Sequence, residues 1–176
     1  FVWTPIHVAV TWILLAQRFI LAMHYAAHRS LFSTQKLGVF AEVLNVFPQL
    51  ILSSFWGMPA GMYYLHHCIM HHQSNNLFPY DISSTMPYQR DSALGLAHYV
   101  MNFMMHTFVY LPYYAMKKRR WDIAAASISS MVLYGFIMPR LCVLHSNWFI
   151  ASLGIPFALG PVALMVGNYS QHIFVN

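Results

Sequence analysis

Four histidines fall within seven residues in the stretch Leu65-His66-His67-Cys68-Ile69-Met70-His71-His72-Gln73. Every imidazole nitrogen needs a proton, a hydrogen bond or a cation, and polar groups that are buried together without partners are costly. A metal ion satisfies several of them at once. His24-x-x-x-His28 places two more rings four residues apart, about 6 Å along a helix and on one face. His67 and His71 repeat that spacing, as do Asn168 and His172. His72 points about 100° round the helix from His71, which suits it to a second ion while His71 serves the first. His66 lies off both faces and reads as a supporting group. His7, His98, His106 and His145 have no partner at ligand spacing and read as structural or interfacial. Cys68 shares a face with His72, but a thiolate is out of place among imidazoles and it reads as inert.

Imidazole suits iron, zinc, copper and nickel. No histidine is followed by glutamate, which excludes a His-Glu-x-x-His zinc protease site. Glu42, the sole glutamate, has no histidine three residues on, which excludes the carboxylate-bridged motif of four-helix di-iron proteins. The chain has four acidic residues in all, so a carboxylate-rich site cannot be built. Neutral histidine ligands leave a metal positive and open to dioxygen, and apolar surroundings suit a lipid. Asp81 and Asp91 are the acids nearest the central stretch. They are the candidates to accept the second N–H of a ligating histidine.

The elements that must position these groups are membrane helices. The 176 residues are 59% hydrophobic and 7% charged, far from the roughly one-quarter charged content of soluble domains. Several runs approach the ~20 apolar residues that span a bilayer. The expected fold is an all-α membrane protein, one domain over 1–176, with transmembrane helices plus re-entrant or interfacial ones. Residues 6–23 form the first run, with Arg18 able to snorkel toward the interface. Residues 36–65 are apolar but carry Pro48, Gly57, Pro59 and Gly61, so a hairpin dipping into the bilayer or a surface helix reads better than one straight span. A polar loop follows over 73–91. Residues 93–116 are apolar with His98, Asn102 and His106 inside, and two further spans cover about 122–138 and 147–166.

Four of the nine basic residues sit in Lys117-Lys118-Arg119-Arg120. They read as a cytoplasmic anchor and not as a nucleic-acid surface; docking an acidic electron donor is the other use. If 122–166 is a hairpin, His172 shares that face. The other histidines join it when 36–65 re-enters and 93–116 lies in the interface or turns back. Cys68 and Cys142 give no disulfide framework.

His24-x-x-x-His28, His67-x-x-x-His71-His72 and Asn168-x-x-x-His172, interleaved with apolar segments, resemble the membrane fatty acid desaturase/hydroxylase superfamily. The stretch Asp81-Ile82-Ser83-Ser84-Thr85-x-x-Tyr88-Gln89-Arg90-Asp91-Ser92 is similar to the loop after the second histidine box of desaturase domains. The resemblance implies two irons on the cytosolic side, held by His24, His28, His67, His71, His72 and His172, with Asn168 acting through a water. It also implies dioxygen as co-substrate and removal of hydrogen from an acyl methylene. Electrons would come from a b-type cytochrome or a ferredoxin with its reductase. The family's third box, with its paired histidines, does not follow His172. The chain, which opens at Phe1, is therefore expected to be a piece of a longer domain, inactive alone. The expected activity is desaturation of a fatty acyl lipid in the bilayer, in the endoplasmic reticulum or else a plastid or bacterial membrane. A lipid, sterol or carotenoid hydroxylase is the near alternative. A haem- or metal-binding or transport protein is the alternative from another class.

Overall fold

A computed structural model describes residues 3–144 and 146–172; His145 and the side chain of Cys142 lie outside the described residues. All regular structure among them is helical, and four helices are long and apolar enough to cross a membrane. The chain is an all-α membrane protein. Large apolar side chains stand open on the helix surfaces, including Ile13, Phe40, Val109 and Val143. In water that much exposed apolar surface would drive association; against acyl chains it is the expected face.

Helix α1, Thr4–His28, ends at the first histidine pair. The chain turns, and Asn45 clips the turn by accepting the Phe32 N–H at 2.9 Å and donating to its carbonyl at 3.0 Å. Helix α2, Val39–Trp56, then runs back along α1. The Gln49 amide donates to the Met23 carbonyl at 3.0 Å. Further on, Trp56 stacks on Phe19 at 4.5 Å and meets Trp12 edge-on at 5.7 Å.

The reversal comes at residues 57–61, where Gly57 and Gly61 take φ of +81° and +75°, a region that side chains with a Cβ resist. Helix α3, residues 62–74, carries the four-histidine stretch back toward the end of α1, where the Tyr63 hydroxyl lies 3.5 Å from His24 Nδ1. The segment is thus a hairpin, as the sequence suggests, with one difference. Pro48 sits inside α2 without ending it, and the turn belongs wholly to Gly57, Pro59 and Gly61.

Helix α4, Ala93–Lys117, begins with the Ser92 hydroxyl accepting the Gly95 N–H at 3.1 Å, a side-chain cap for an otherwise orphaned donor. It is not among the four helices of spanning character, and it does not turn back. Near its start Tyr99 bonds the Ser83 carbonyl, and near its end the Tyr114 hydroxyl reaches the Ile69 carbonyl. Both ends therefore stay beside the histidine stretch and the loop that follows it. Helix α5, Trp121–Leu144, leaves that level, and helix α6, Asn147–His172, returns to it.

Two buried clusters fix the arrangement. Met62, Leu65, Ile69 and Met70 of α3 pack on Leu111 and Ala115 of α4 and on Ile123 and Ala124 of α5. Tyr99, Val100 and Phe103 of α4 pack on Met165 and Tyr169 of α6. The hairpin tip is pinned to α6 by backbone contact. A Cβ on Gly160 would fall 2.2 Å from the Trp56 carbonyl oxygen, and one on Gly57 would fall 1.9 Å from that of Pro156.

Candidate metal centre

The structure gathers the histidines at the ends of α1, α3 and α6 into two adjacent groups. In the first, His67 Nε2 lies 3.0 Å from His28 Nε2 and 3.1 Å from His72 Nε2. The His24 ring stands 4.6 Å from that of His67 and 4.8 Å from that of His28. One imidazole nitrogen offers a single proton or a single lone pair, so His67 cannot satisfy both neighbours. A cation among them satisfies all. Two nitrogens each about 2.1 Å from one ion and at right angles would be about 3.0 Å apart, which is the spacing found. His24, His28 and His67 each bring a ligand atom within 4.8 Å of the others.

The grouping differs from the sequence reading first at His72. The spacing pairs His67 with His71 and sets His72 apart, because in an α-helix His72 would point about 140° from His67. Residues Leu65–His71 instead form a π turn, and the His72 N–H bonds the His67 carbonyl five residues back. The wider turn brings the His72 ring to 4.5 Å from that of His67. Single π turns inside α-helices are rare and recur at functional sites.

His71 belongs to the second group. Its Nδ1 donates to Asp81 Oδ2 at 2.6 Å, and its ring lies 5.1 Å from that of His172 and 5.8 Å from that of His66. His66, His71 and Asp81 form the second set with ligand atoms within 4.8 Å of one another, all buried. His66 is thus not off to one side, as the helical spacing has it, but inside this group.

The loop after α3 holds the second group in place. Asp81 Oδ1 accepts the Ser83 N–H at 2.8 Å and its hydroxyl at 2.7 Å, and Oδ2 accepts the Asn76 N–H at 3.2 Å besides His71. Asn76, at φ +63°, also clamps Thr85 by accepting its N–H at 2.8 Å. Tyr99, fully buried, donates to the Ser83 carbonyl at 3.1 Å. The Asn168 amide group donates to the same carbonyl at 3.1 Å and to the Tyr99 oxygen at 2.6 Å. The network ties α3, α4 and α6 together and leaves the Asn168 carbonyl oxygen as its uncommitted end. Of the two acids singled out by proximity, Asp81 meets a histidine, whereas Asp91 accepts from the Gln89 side chain at 2.9 Å. Ser83, Tyr99 and Asn76 carry no signal of their own in the sequence beyond the loop motif that includes Ser83.

The electrostatics favour neutral rings. Burial lowers His66 to about 4 despite the nearby Asp81 carboxylate. Burial, then His24 and His72, lowers His67 to about 3. Burial and His28 also push His72 down. For Asp81 burial acts upward, but the hydrogen bonds from His71 and Ser83 outweigh it and keep the carboxyl well below its usual range. His66, His67 and His72 are therefore unprotonated at neutral pH, and Asp81, the one acid among the histidines, is ionised.

The remaining histidines among the described residues join neither group. His98 and His106 bond Asn102 on their own helix, and His7 lies beside Trp12 and Trp148. Cys68 donates its S–H to the Ala27 carbonyl at 3.5 Å. An apolar cleft lined by Met62, Phe103, Leu111 and Leu164 runs from the hairpin tip to His66.

The sequence model of the fatty acid desaturase family matches residues 1–176. Searches among curated proteins and among solved structures return no match.

Proposed function

Because the chain belongs to the fatty acid desaturase family, an oxidoreductase family of desaturase and hydroxylase type that works on lipid at a membrane, we propose that it contributes the histidine centre of a dioxygen-dependent fatty acyl desaturase that uses two irons. The observation that carries this reading is the convergence of His28, His67 and His72 on one point with His24 beside them. No tautomer of these rings satisfies them together.

The donor set fits iron: neutral imidazoles from three helix ends, with a carboxylate behind one of them. His24, His28, His67 and His72 would hold one ion. His71 and His172 would contribute to the other, with the Asn168 carbonyl oxygen acting through a water. When bound, the pair of ions supplies the activation of dioxygen that breaking an unactivated C–H bond requires. The protein's own residues do the rest. Asp81 accepts the Nδ1 proton of His71 and so fixes that ring with Nε2 free. Ser83, Tyr99 and Asn168 hold Asp81 and the end of α6 at a set distance. The apolar lining of the cleft beside His66 offers an acyl methylene a water-poor approach to the histidine end.

The basic stretch Lys117–Arg120, on the same level as Ile69 through Tyr114, marks that end as cytosolic. It offers an acidic electron donor, a b-type cytochrome or a ferredoxin, a docking edge. Residence in the endoplasmic reticulum accords with such a donor.

The test is expression of the intact protein with a donor and reductase in a yeast that lacks its own acyl desaturase. New double bonds in the cell lipids, by gas chromatography and mass spectrometry, together with two irons per chain, are the expected result. A Soret band or zinc without iron in the purified protein sinks the reading, and hydroxylated lipid without new double bonds moves it to the hydroxylase branch.

A further inference from the structure

His66 is the one histidine of the central stretch that the box spacing does not use, and its surroundings are specific. The residue is 8% exposed, and its Nε2 is buried with no hydrogen-bond partner among the described residues. A buried polar atom in that condition costs about 1–3 kcal/mol, so it requires an explanation. The nearest candidate partner is Asp81 Oδ1, 3.9 Å away, beyond hydrogen-bond range.

Asp81 has no capacity left to offer. A carboxylate has about four acceptor sites, and four donors already use them: the Ser83 N–H and hydroxyl on Oδ1, and His71 Nδ1 and the Asn76 N–H on Oδ2. A rotation of Asp81 toward His66 would break one of these. The Phe103 ring, edge-on at 4.9 Å, supplies no lone pair either.

His66 and His71 stand nearly parallel, 28° apart with ring centres 5.8 Å apart, and each brings a ligand atom within 4.8 Å of the other. Two imidazoles sharing one ion at about 2 Å per bond can have ring centres up to roughly 6.5 Å apart. The pair is therefore at bridging distance, and the His172 ring closes a third side at 5.1 Å from His71.

From this saturation of Asp81 we infer that His66 is a direct ligand of the second metal position, with His71 and His172, and not a group that steadies a ligand from behind. The inference rests on the two-ion reading above and adds a ligand that its motif does not contain. It assigns different tasks to the two buried polar neighbours of His71: Asp81 orients its ring, and His66 shares its ion.

The test uses the intact, metal-free protein in detergent, titrated with Co(II) and followed by visible and near-ultraviolet absorption. The wild type is expected to take two equivalents. His66→Gln keeps the bulk and hydrogen-bonding capacity of the side chain and is expected to weaken one equivalent at least tenfold while leaving the other unchanged. His66→Cys is expected to bind both, with a sulfur-to-cobalt charge-transfer band that the wild type lacks, because that band arises only when the residue at 66 touches the ion. Wild-type binding and spectrum in His66→Gln, or two ions in His66→Cys without the band, would overturn the assignment. If His66→Gln does not fold, His66→Cys decides alone. Fewer than two equivalents in the wild type removes the two-ion reading itself, a result distinct from loss in the variant only.

Discussion

Nδ1 of His71 lies 2.6 Å from Oδ2 of Asp81, a carboxylate only 2% exposed to solvent. The contact fixes which nitrogen of His71 carries the proton and therefore leaves Nε2 with the free lone pair. An ionised acceptor makes such a bond roughly twice as strong as a neutral pair.

Asp81→Asn is expected to lower metal affinity of the His71 group by about 10–100-fold, the usual cost of losing the partner behind a ligating histidine. Iron per chain after dialysis against a weak chelator measures it. Full occupancy in the variant would remove Asp81 from the site.

Tyr99→Phe deletes the hydroxyl that joins the Ser83 carbonyl to Asn168 in a fully buried position. Stability is expected to fall by about 1–3 kcal/mol, since two buried groups lose a partner. The first histidine group, which Tyr99 does not touch, should keep its ion. A thermal unfolding scan with metal analysis separates the two effects, and an unchanged melting temperature would count against the network.

Gly160→Ala places a methyl 2.2 Å from the Trp56 carbonyl oxygen, which is backbone and cannot swing aside. Overpacking of this kind costs about 1–3 kcal/mol. Gly135→Ala, with nothing within 4 Å of the added methyl, should be neutral or slightly stabilising. Comparison of the two melting temperatures tests whether the hairpin tip bears on α6, and equal values would show that it does not.

The metal-free protein should lose stability in acid. His67 sits at about 3 and His66 at about 4 in the fold, below the ordinary 6.5. The unfolded chain therefore binds more protons between those values. Stability from keeping these rings neutral is complete above pH ~6.5 and is lost as pH falls toward 4 and 3. Melting temperature against pH for the metal-free wild type and for His67→Ala should show a shallower acid slope in the variant. Parallel curves would refute the contribution of His67.

Much of this was legible in residue types and spacing. Histidine pairs four apart announce a helix face on which rings gather, and apolar runs announce helices able to span. The Gly and Pro cluster announces the reversal before α3, though Pro48 proved harmless because a helix can absorb one proline. The assignment of individual rings was less accessible. His72 joins His67 only because Leu65–His71 winds as a π turn, and no spacing rule written for 3.6 residues per turn anticipates that. The clamp of Tyr99, Ser83 and Asn168 joins residues up to 85 positions apart, and common residue types at such distances leave no mark in the sequence. Asp81 was within reach of sequence reasoning because acids are so scarce that the nearest one stands out.

The two histidine groups also differ in when they can exist. The first is complete by residue 72, from α1 and the α2–α3 hairpin, whereas the second waits for His172, one hundred positions later. A chain made from its N-terminus at about 5–20 residues per second therefore carries all four imidazoles of the first group at least several seconds before the last ring of the second is made. The two groups are written in a fixed order, one set of rings entire in the chain while the other still lacks a member.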